Sequence, residues 1–313
     1  MYTKNFNKLT KKDASTAGGK GASLGEMTNV GIPVPPGFVV VVSAFEAFLK
    51  KAGLEEKIEN IVQEVNPEEI ESGEKASRKI RELIKDEEVP EDIQKEIREA
   101  YKTLGAESVA VRSSATAEDS SEASWAGELE SYLHVRREDL IETIKTCWSS
   151  LFTPRAIFYR FEKGLEKTQV SVAVVVQKMV NSEVSGVCFT AHPVTKEKNK
   201  MVIEAGYGLG ESIVGGMITP DKYEVFKHKG EFLILEKEIQ PQEIKIERGK
   251  QGAEKKEVSP REQEKQKLED EKIMELANIS VRVEEHYGKP QDIEWALEEG
   301  RIYIVQSRPI TTL

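Results

Sequence analysis

Cysteine is nearly missing from this chain of 313 residues: Cys147 and Cys188 are the only two. Their spacing excludes a CxxC redox pair, a four-Cys zinc site and a disulfide framework, and both read as ordinary reduced thiols. Histidine is as scarce. The four present, His134, His192, His228 and His286, form no HExxH or other close pair, and none lies in the glycine-rich loop that an exposed phosphate-carrying histidine needs. No apolar run approaches the roughly 20 residues that span a bilayer, and no apolar stretch follows the lysines of the first eight residues. The expected location is therefore cytoplasmic. A basic excess is missing as well: 45 Lys and Arg against 55 Asp and Glu give a net charge of −10, which argues against a nucleic-acid partner.

What is present is enough apolar sequence, 38% of residues, for one large or two ordinary domains. The first part alternates helix with strand. Ser43-Ala44-Phe45-Glu46 reads as a capping box opening a helix that Gly53 closes. Asn66-Pro67 begins a second helix. Pro90 begins a third, with Ile93, Ile97, Tyr101 and Leu104 on one face and Gly105 at its end. From Val170 the period changes to that of strands: 170–180 and 185–191 about a short turn, then 200–205, then a hairpin of 223–227 with 232–239 about Lys229-Gly230. Residues 241–258 are mostly charged and read as a surface excursion. Ser259-Pro260-Arg261-Glu262 predicts the cap of a long helix running to about Glu285, and the chain ends in one more hairpin. The change near residue 180 predicts an α+β fold of two subdomains, 1–180 and 181–313, with a cleft between them.

Three segments carry chemistry. In 17–25 three glycines surround Lys20 at the start of a helical pattern; Ala14 and Gly21 stand where a Walker A loop needs Gly and Ser or Thr. What remains is a run of amides at a helix start beside one cation, suited to a phosphate chain, or a plain turn with a solvated lysine. In 108–116 an apolar strand runs into Arg112 and small, mostly hydroxylic residues, suited to phosphate contact or simply a surface arginine beside a serine-rich turn. Gly206-Tyr207-Gly208-Leu209-Gly210-Glu211 fails the dinucleotide fingerprint, which needs glycine at Glu211.

The third segment is the last hairpin, 290–308. A three-residue loop, Glu299-Gly300-Arg301, sets Glu294 opposite Gln306 and Asp292 opposite Arg308 on one side, and leaves Ile293, Trp295, Tyr303 and Val305 on the other. Carboxylates with an amide oxygen are hard ligands for Mg²⁺, and the arginine beside them can hold phosphate oxygens. The alternative is the solvated outer face of an edge hairpin.

The motifs GGKGASLGEM, GIPVPPGFVV, SVAVRSSATAEDSSEASWAGELESYLHV, SLFTPRAIFYR, VQKMV, SGVCFTAHPVT, EAGYGLGE and QDIEWALEEGRIYIVQSRP stand here in order over nearly the whole chain. Together they resemble the ATP-grasp nucleotide-binding domain of the phosphoenolpyruvate synthase (pyruvate, water dikinase) family, related to pyruvate phosphate dikinase and rifampicin phosphotransferase. The resemblance implies an ATP-grasp fold clamping MgATP, with Lys20, Arg112 and Arg308 at the transferred phosphates and Gly127 with Ser131 supporting the loop over them. It further implies Gln177, Lys178, Met179 and Val180 as the strand that meets adenine, Glu204 at adenosine, and Glu294 and Gln306 as magnesium ligands near Asp292. His192 departs from the family pattern, where a carboxylate or amide is expected. Complete family members continue into a swivelling domain with a phosphate-carrying histidine and into a pyruvate-binding barrel. This chain accordingly reads as the ATP-binding phosphotransferase half, with its histidine acceptor supplied elsewhere. A nucleotide-gated binding module without turnover, and an enzyme for another acceptor, are the competing readings.

Overall fold

The computed structural model describes residues 1–116, 119–120, 123–124, 130–162, 164, 171–228, 230–249 and 252–311. Chain contacts divide it into two compact units, Met1–Glu26 with Pro36–Met179, and Met27–Pro35 with Val180–Leu313.

The first unit holds the strands β1 (Thr3–Asn5), β2 (Gly37–Val40), β3 (Val109–Ala115), β4 (Ser131–Val135) and β5 (Val172–Lys178), in the order β1-β2-β5-β3-β4 with every neighbouring pair antiparallel. Its helices are α1 (Ala14–Asn29), whose last turn groups with the second unit, and α2 (Val42–Lys51), α3 (Glu55–Gln63), α4 (Ile70–Asp86), α5 (Glu91–Leu104), α6 (Leu140–Ser149) and α7 (Pro154–Glu162). Strand alternation decides the core. One cross-strand row, Phe38, Val176 and Val111, faces the apolar sides of α2, α4 and α6, where Trp148 is fully buried with its ring 5.2 Å from that of Phe48. The adjacent row, Val39, Val175, Arg112 and Ser131, takes the opposite face.

The local signals mostly hold here, with shifted starts. Gly105 closes α5 at φ +63°, and Gly53 follows α2 at φ +64°, where Leu54 N–H returns to the Leu49 carbonyl at 2.9 Å. The capping box does not form. α2 starts from an extended Val41, which puts Ser43 inside the first turn, because burial of Val42 and Phe45 sets the start. Asn66 makes a turn, its side-chain oxygen accepting from the Glu68 amide at 3.1 Å, and α4 begins only at Ile70.

The second unit is a six-stranded antiparallel sheet in the order β9-β8-β7-β6-β12-β13, from β6 (Val184–Phe189), β7 (Lys200–Tyr207), β8 (Asp221–His228), β9 (Glu231–Glu238), β12 (Gln291–Glu298) and β13 (Arg301–Pro309). The row Ile293, Cys188, Ile203 and Tyr223 is wholly buried on the side of α8 (Asp270–Tyr287), whose Ile273, Leu276, Ala277 and Val283 are also fully buried. The strands expected as partners about a short turn, β5 and β6, belong to different sheets. The charged stretch 241–258 is not an irregular excursion. It forms a ribbon of β10 (Ile244–Gly249) with β11 (Gly252–Glu257), anchored by buried Ile246 and by Gln242, which bonds both backbone groups of Tyr207.

The long helix starts at Asp270, about a dozen residues after the expected cap, although Ser259 does bond the Glu262 carboxylate. The reason is a buried polar knot. Asp221 accepts from the amides of Lys267 (2.8 Å) and Gln240 (2.9 Å) and from the Tyr223 hydroxyl (2.8 Å), and pairs with the Lys267 ammonium at 3.0 Å. With Leu268 N–H also taken by the Tyr223 hydroxyl, these residues have side-chain acceptors in place of helical ones. Lys267→Met should destabilise the fold by about 3 to 5 kcal/mol in urea titration, because it leaves the Asp221 carboxylate buried without its counter-ion. A loss below about 1 kcal/mol would mean that the neutral donors alone hold that charge.

Candidate functional site

The phosphate-suited residues of the first unit share one sheet face. α1 is not one regular helix: Gly18 has φ +69° and ψ 170°, and the chain begins a new helical segment after it. Only glycine fits at this point, since a Cβ there would lie 2.2 Å from the Ser114 carbonyl oxygen. The close approach brings Lys20 onto β3, where its ammonium donates to the Ser113 carbonyl at 3.2 Å. Arg112 stands one residue upstream, with Ser131 opposite it on β4. Gln177 is buried in the next row of the same face, opposite Ala110. Lys20, Arg112, Ser131 and Gln177 are thus brought together by one sheet and one broken helix.

Lys178 ends the strand exposed, its amide donating to the Pro36 carbonyl at 2.8 Å, and the Met179 amide donates to Ser108 at 3.1 Å. The expected strand over 177–180 therefore contains only Gln177 and Lys178. Met179 and Val180 follow it, both buried, as the chain leaves the sheet. Gly127 lies outside the described residues.

In the second unit a single cross-strand row runs over all six strands: Gln306, Glu294, Val187, Glu204, Lys222 and Glu238. Beside it on the same face lie Arg308, Asp292, Phe189 and Val202. The Gln306 amide donates to Glu294 at 3.1 Å, and the Arg308 guanidinium holds Asp292 through contacts of 2.8 Å. Glu294 and Glu204 are two strands apart, about 10 Å.

The hairpin differs from its expected form in the turn. Glu298 pairs with Arg301, so the loop has two residues, Glu299 and Gly300, at φ 49° and 73°, the left-handed pair that matches strand twist. The surplus residue is absorbed by a bulge after Glu294, and Trp295 pairs with Ile304. Tyr303 therefore lies opposite Ala296 rather than on the Trp295 side, while the pairs Glu294–Gln306 and Asp292–Arg308 keep their expected register.

Negative charge accumulates on this face. Burial, and then the nearby Asp292 carboxylate, raise the Glu204 carboxyl above the usual range, partly offset by Lys222. Lys222 and Glu224 were not among the expected residues, although the alternation of Asp221-Lys222-Tyr223-Glu224 signals a polar strand face. Lys222 bonds Glu224 and Glu238 at 3.0 and 3.1 Å, and this cation, followed by His192, lowers the Glu224 carboxyl.

His192 itself explains its departure from the pattern. Its Nδ1 accepts from the amides of Val194 and Thr195 at 3.2 and 3.1 Å, the task a side-chain oxygen performs in an Asx turn, and its Nε2 lies 3.4 Å from Glu224. Both cysteines are buried, and burial pushes their thiols up to about 12, which leaves them unreactive.

The pattern of the pyruvate phosphate dikinase, AMP/ATP-binding domain family matches residues 14–313. The chain belongs to that family. Among relatives of this dikinase-type domain, probable phosphoenolpyruvate synthases of Archaeoglobus fulgidus and Methanocaldococcus jannaschii are 52% and 47% identical over 97% and 98% of the chain. A rifampicin phosphotransferase of Bacillus cereus is 41% identical over all of it. The chain spans 41%, 26% and 36% of the lengths of these three relatives. Among the described residues no helix is long and apolar enough to cross a membrane.

Among the described residues no three His, Cys, Asp or Glu side chains converge as a metal cage. A magnesium ion needs no such cage, since it is commonly held by one or two carboxylates together with substrate phosphates and water. The hard-oxygen pair Glu294 and Gln306, beside carboxylates that repel one another, fits that incomplete kind of site.

The burial of Glu204, with the Asp292 carboxylate near it, has a pH signature. A carboxyl raised on folding favours its proton: that contribution to stability is complete below the unfolded value and is lost as pH rises through the folded one. Glu204→Gln should therefore raise the melting temperature at about pH 7.5 and leave it unchanged below about pH 4. An equal shift at both pH values would assign the effect to packing.

Proposed function

We propose that this domain is the ATP-binding phosphotransferase module of a phosphoenolpyruvate synthase, with an ATP-grasp fold whose two subdomains, 1–180 and 181–313, clamp MgATP. The overall reaction converts ATP, pyruvate and water to AMP, phosphoenolpyruvate and phosphate. The observation that carries the reading is the convergence of Lys20 and Arg112 on one sheet face at a broken helix start, because two cations beside backbone amides suit a polyphosphate. Family membership and the row from Gln306 to Glu204 support it.

In this reading Lys20 and Arg112 hold the phosphates, Gly127 and Ser131 support the loop above them, and Gln177 to Val180 line the adenine side with Glu204 at the adenosine. Glu294 and Gln306 would hold magnesium near Asp292. Bound there, the ion supplies neutralisation of phosphate-oxygen charge. Arg308, oriented by Asp292, adds charge stabilisation at the transferred group. The β,γ portion passes in line to a histidine nitrogen of a swivelling domain, the bond to the α-phosphate oxygen breaks, and AMP leaves. A pyruvate-binding domain completes the reaction, and the setting is cytoplasmic.

A second reading keeps the nucleotide side and changes the acceptor, and the similarity to a rifampicin phosphotransferase favours it. Acceptor assays with pyruvate and with rifampicin separate the two.

MgATP at 100 times its dissociation constant should stabilise the isolated chain by about 2.7 kcal/mol, and a melt unmoved by saturating MgATP would reject the assignment. Lys20→Ala and Arg112→Ala should each weaken ATP by roughly 1.5 to 3 kcal/mol in calorimetry while sparing AMP. Equal losses for both nucleotides would place these residues away from the phosphates.

With swivelling and pyruvate domains added in trans, pyruvate-dependent AMP release should appear. Glu294→Gln should abolish it by removing a metal ligand's charge while retaining the side chain's shape. AMP release that needs pyruvate but neither added domain would place the acceptor chemistry within this chain.

A further inference from the structure

We infer that Ser114 is a positioning residue for phosphate recognition: from β3 its hydroxyl caps the second segment of α1 and fixes Lys20 relative to Arg112. The inference rests on the reading that these two cations meet ATP phosphates. A helical segment that restarts after Gly18 has first-turn amides without acceptors inside the helix. The Ser114 Oγ accepts from one of them, Gly21 N–H, at 3.2 Å. The same hydroxyl donates its proton to the Ala17 carbonyl at 3.1 Å, on the other side of the break. One buried side chain thereby satisfies the backbone on both sides of the break.

The arrangement depends on the absence of a side chain at Gly18, where a Cβ would lie 2.2 Å from the Ser114 Oγ as well as from its carbonyl oxygen. Alternation along β3 puts Arg112 and Ser114 on the same sheet face, and the Lys20 ammonium reaches the carbonyl of Ser113 between them. Three successive residues of one strand therefore set the pair: Arg112 is one cation, Ser113 receives the other, and Ser114 holds the backbone from which Lys20 extends. Without the hydroxyl, Gly21 N–H and the Ala17 carbonyl are left buried without this partner, and the segment is free to shift to satisfy them. Such a shift moves Lys20 away from its place beside Arg112 and leaves the adenosine contacts unchanged.

The test is calorimetric titration of the full chain with MgATP and with AMP, for the wild type, Ser114→Ala, Lys20→Ala and the double variant. Ser114→Ala should weaken ATP about tenfold and AMP by less than about twofold. In the Lys20→Ala background the same substitution should cost ATP less than about twofold further, because Ser114 acts through Lys20. Ser114→Cys, which fills the space with a poor hydrogen-bonding group, should behave as Ser114→Ala and stands in for it if the smaller side chain prevents folding. Equal losses for ATP and AMP, or a loss undiminished in the Lys20→Ala background, would reduce Ser114 to a purely structural role. A wild-type chain that binds no MgATP would instead overturn the functional reading itself.

Discussion

In each sheet one apolar face packs on helices, and the proposed nucleotide contacts lie on the other. In β3, burial of Val109 and Val111 against the helical core leaves Ala110, Arg112 and Ser114 on the opposite face without a choice of register. In the second unit the row Ile293, Cys188, Ile203 and Tyr223 does the same for Glu294, Glu204 and Lys222. A slip of one residue would turn Arg112 of β3, Glu204 of β7 or Glu294 of β12 toward the apolar side, at several kcal/mol for an unpaired buried ion. The apolar rows thus protect the placement of charges that they never touch.

Two of the glycines that let backbone approach backbone do so beside a proposed nucleotide contact. Gly18 lets α1 break against Ser114, and Gly186 lets β6 lie where a Cβ would fall 1.8 Å from the Glu204 carbonyl oxygen. Each therefore places a proposed nucleotide contact, Lys20 in one case and Glu204 in the other. The glycines of 206–210 serve a different end. The Gly208 carbonyl accepts from Ser185 at 2.6 Å and Gln242 secures Tyr207, so that motif ties β7 to neighbouring backbone. This agrees with rejecting it as a dinucleotide fingerprint.

Alternation is the most reliable signal in the sequence. It pairs Glu294 with Gln306 and Asp292 with Arg308, and both pairs stand in the folded hairpin although the turn is shorter than expected, because the bulge lies on the loop side of them. Cap signals are less reliable. Ser43 and Ser259 have the right neighbours, yet burial of Val42 and Phe45 and the Asp221–Lys267 knot decide where α2 and α8 begin. A cap contributes about 1 kcal/mol, whereas separating a buried ion pair or exposing a buried aromatic side chain costs more.

The sequence by itself determined the α+β class, the order of most elements, the polar face of the last hairpin and the family to which the domain belongs. These follow from local pattern and from motifs that need no partner to be legible. Tertiary structure alone decided that β5 and β6 enter different sheets, that the charged stretch 241–258 is an ordered ribbon, and that Gly18 divides α1 against Ser114. It also set Glu204 beside Lys222 in the row that Glu294 shares. The physical reason is common to all four. Each depends on which distant backbone supplies a hydrogen-bond partner or excludes a Cβ, and a local pattern carries no record of that neighbour.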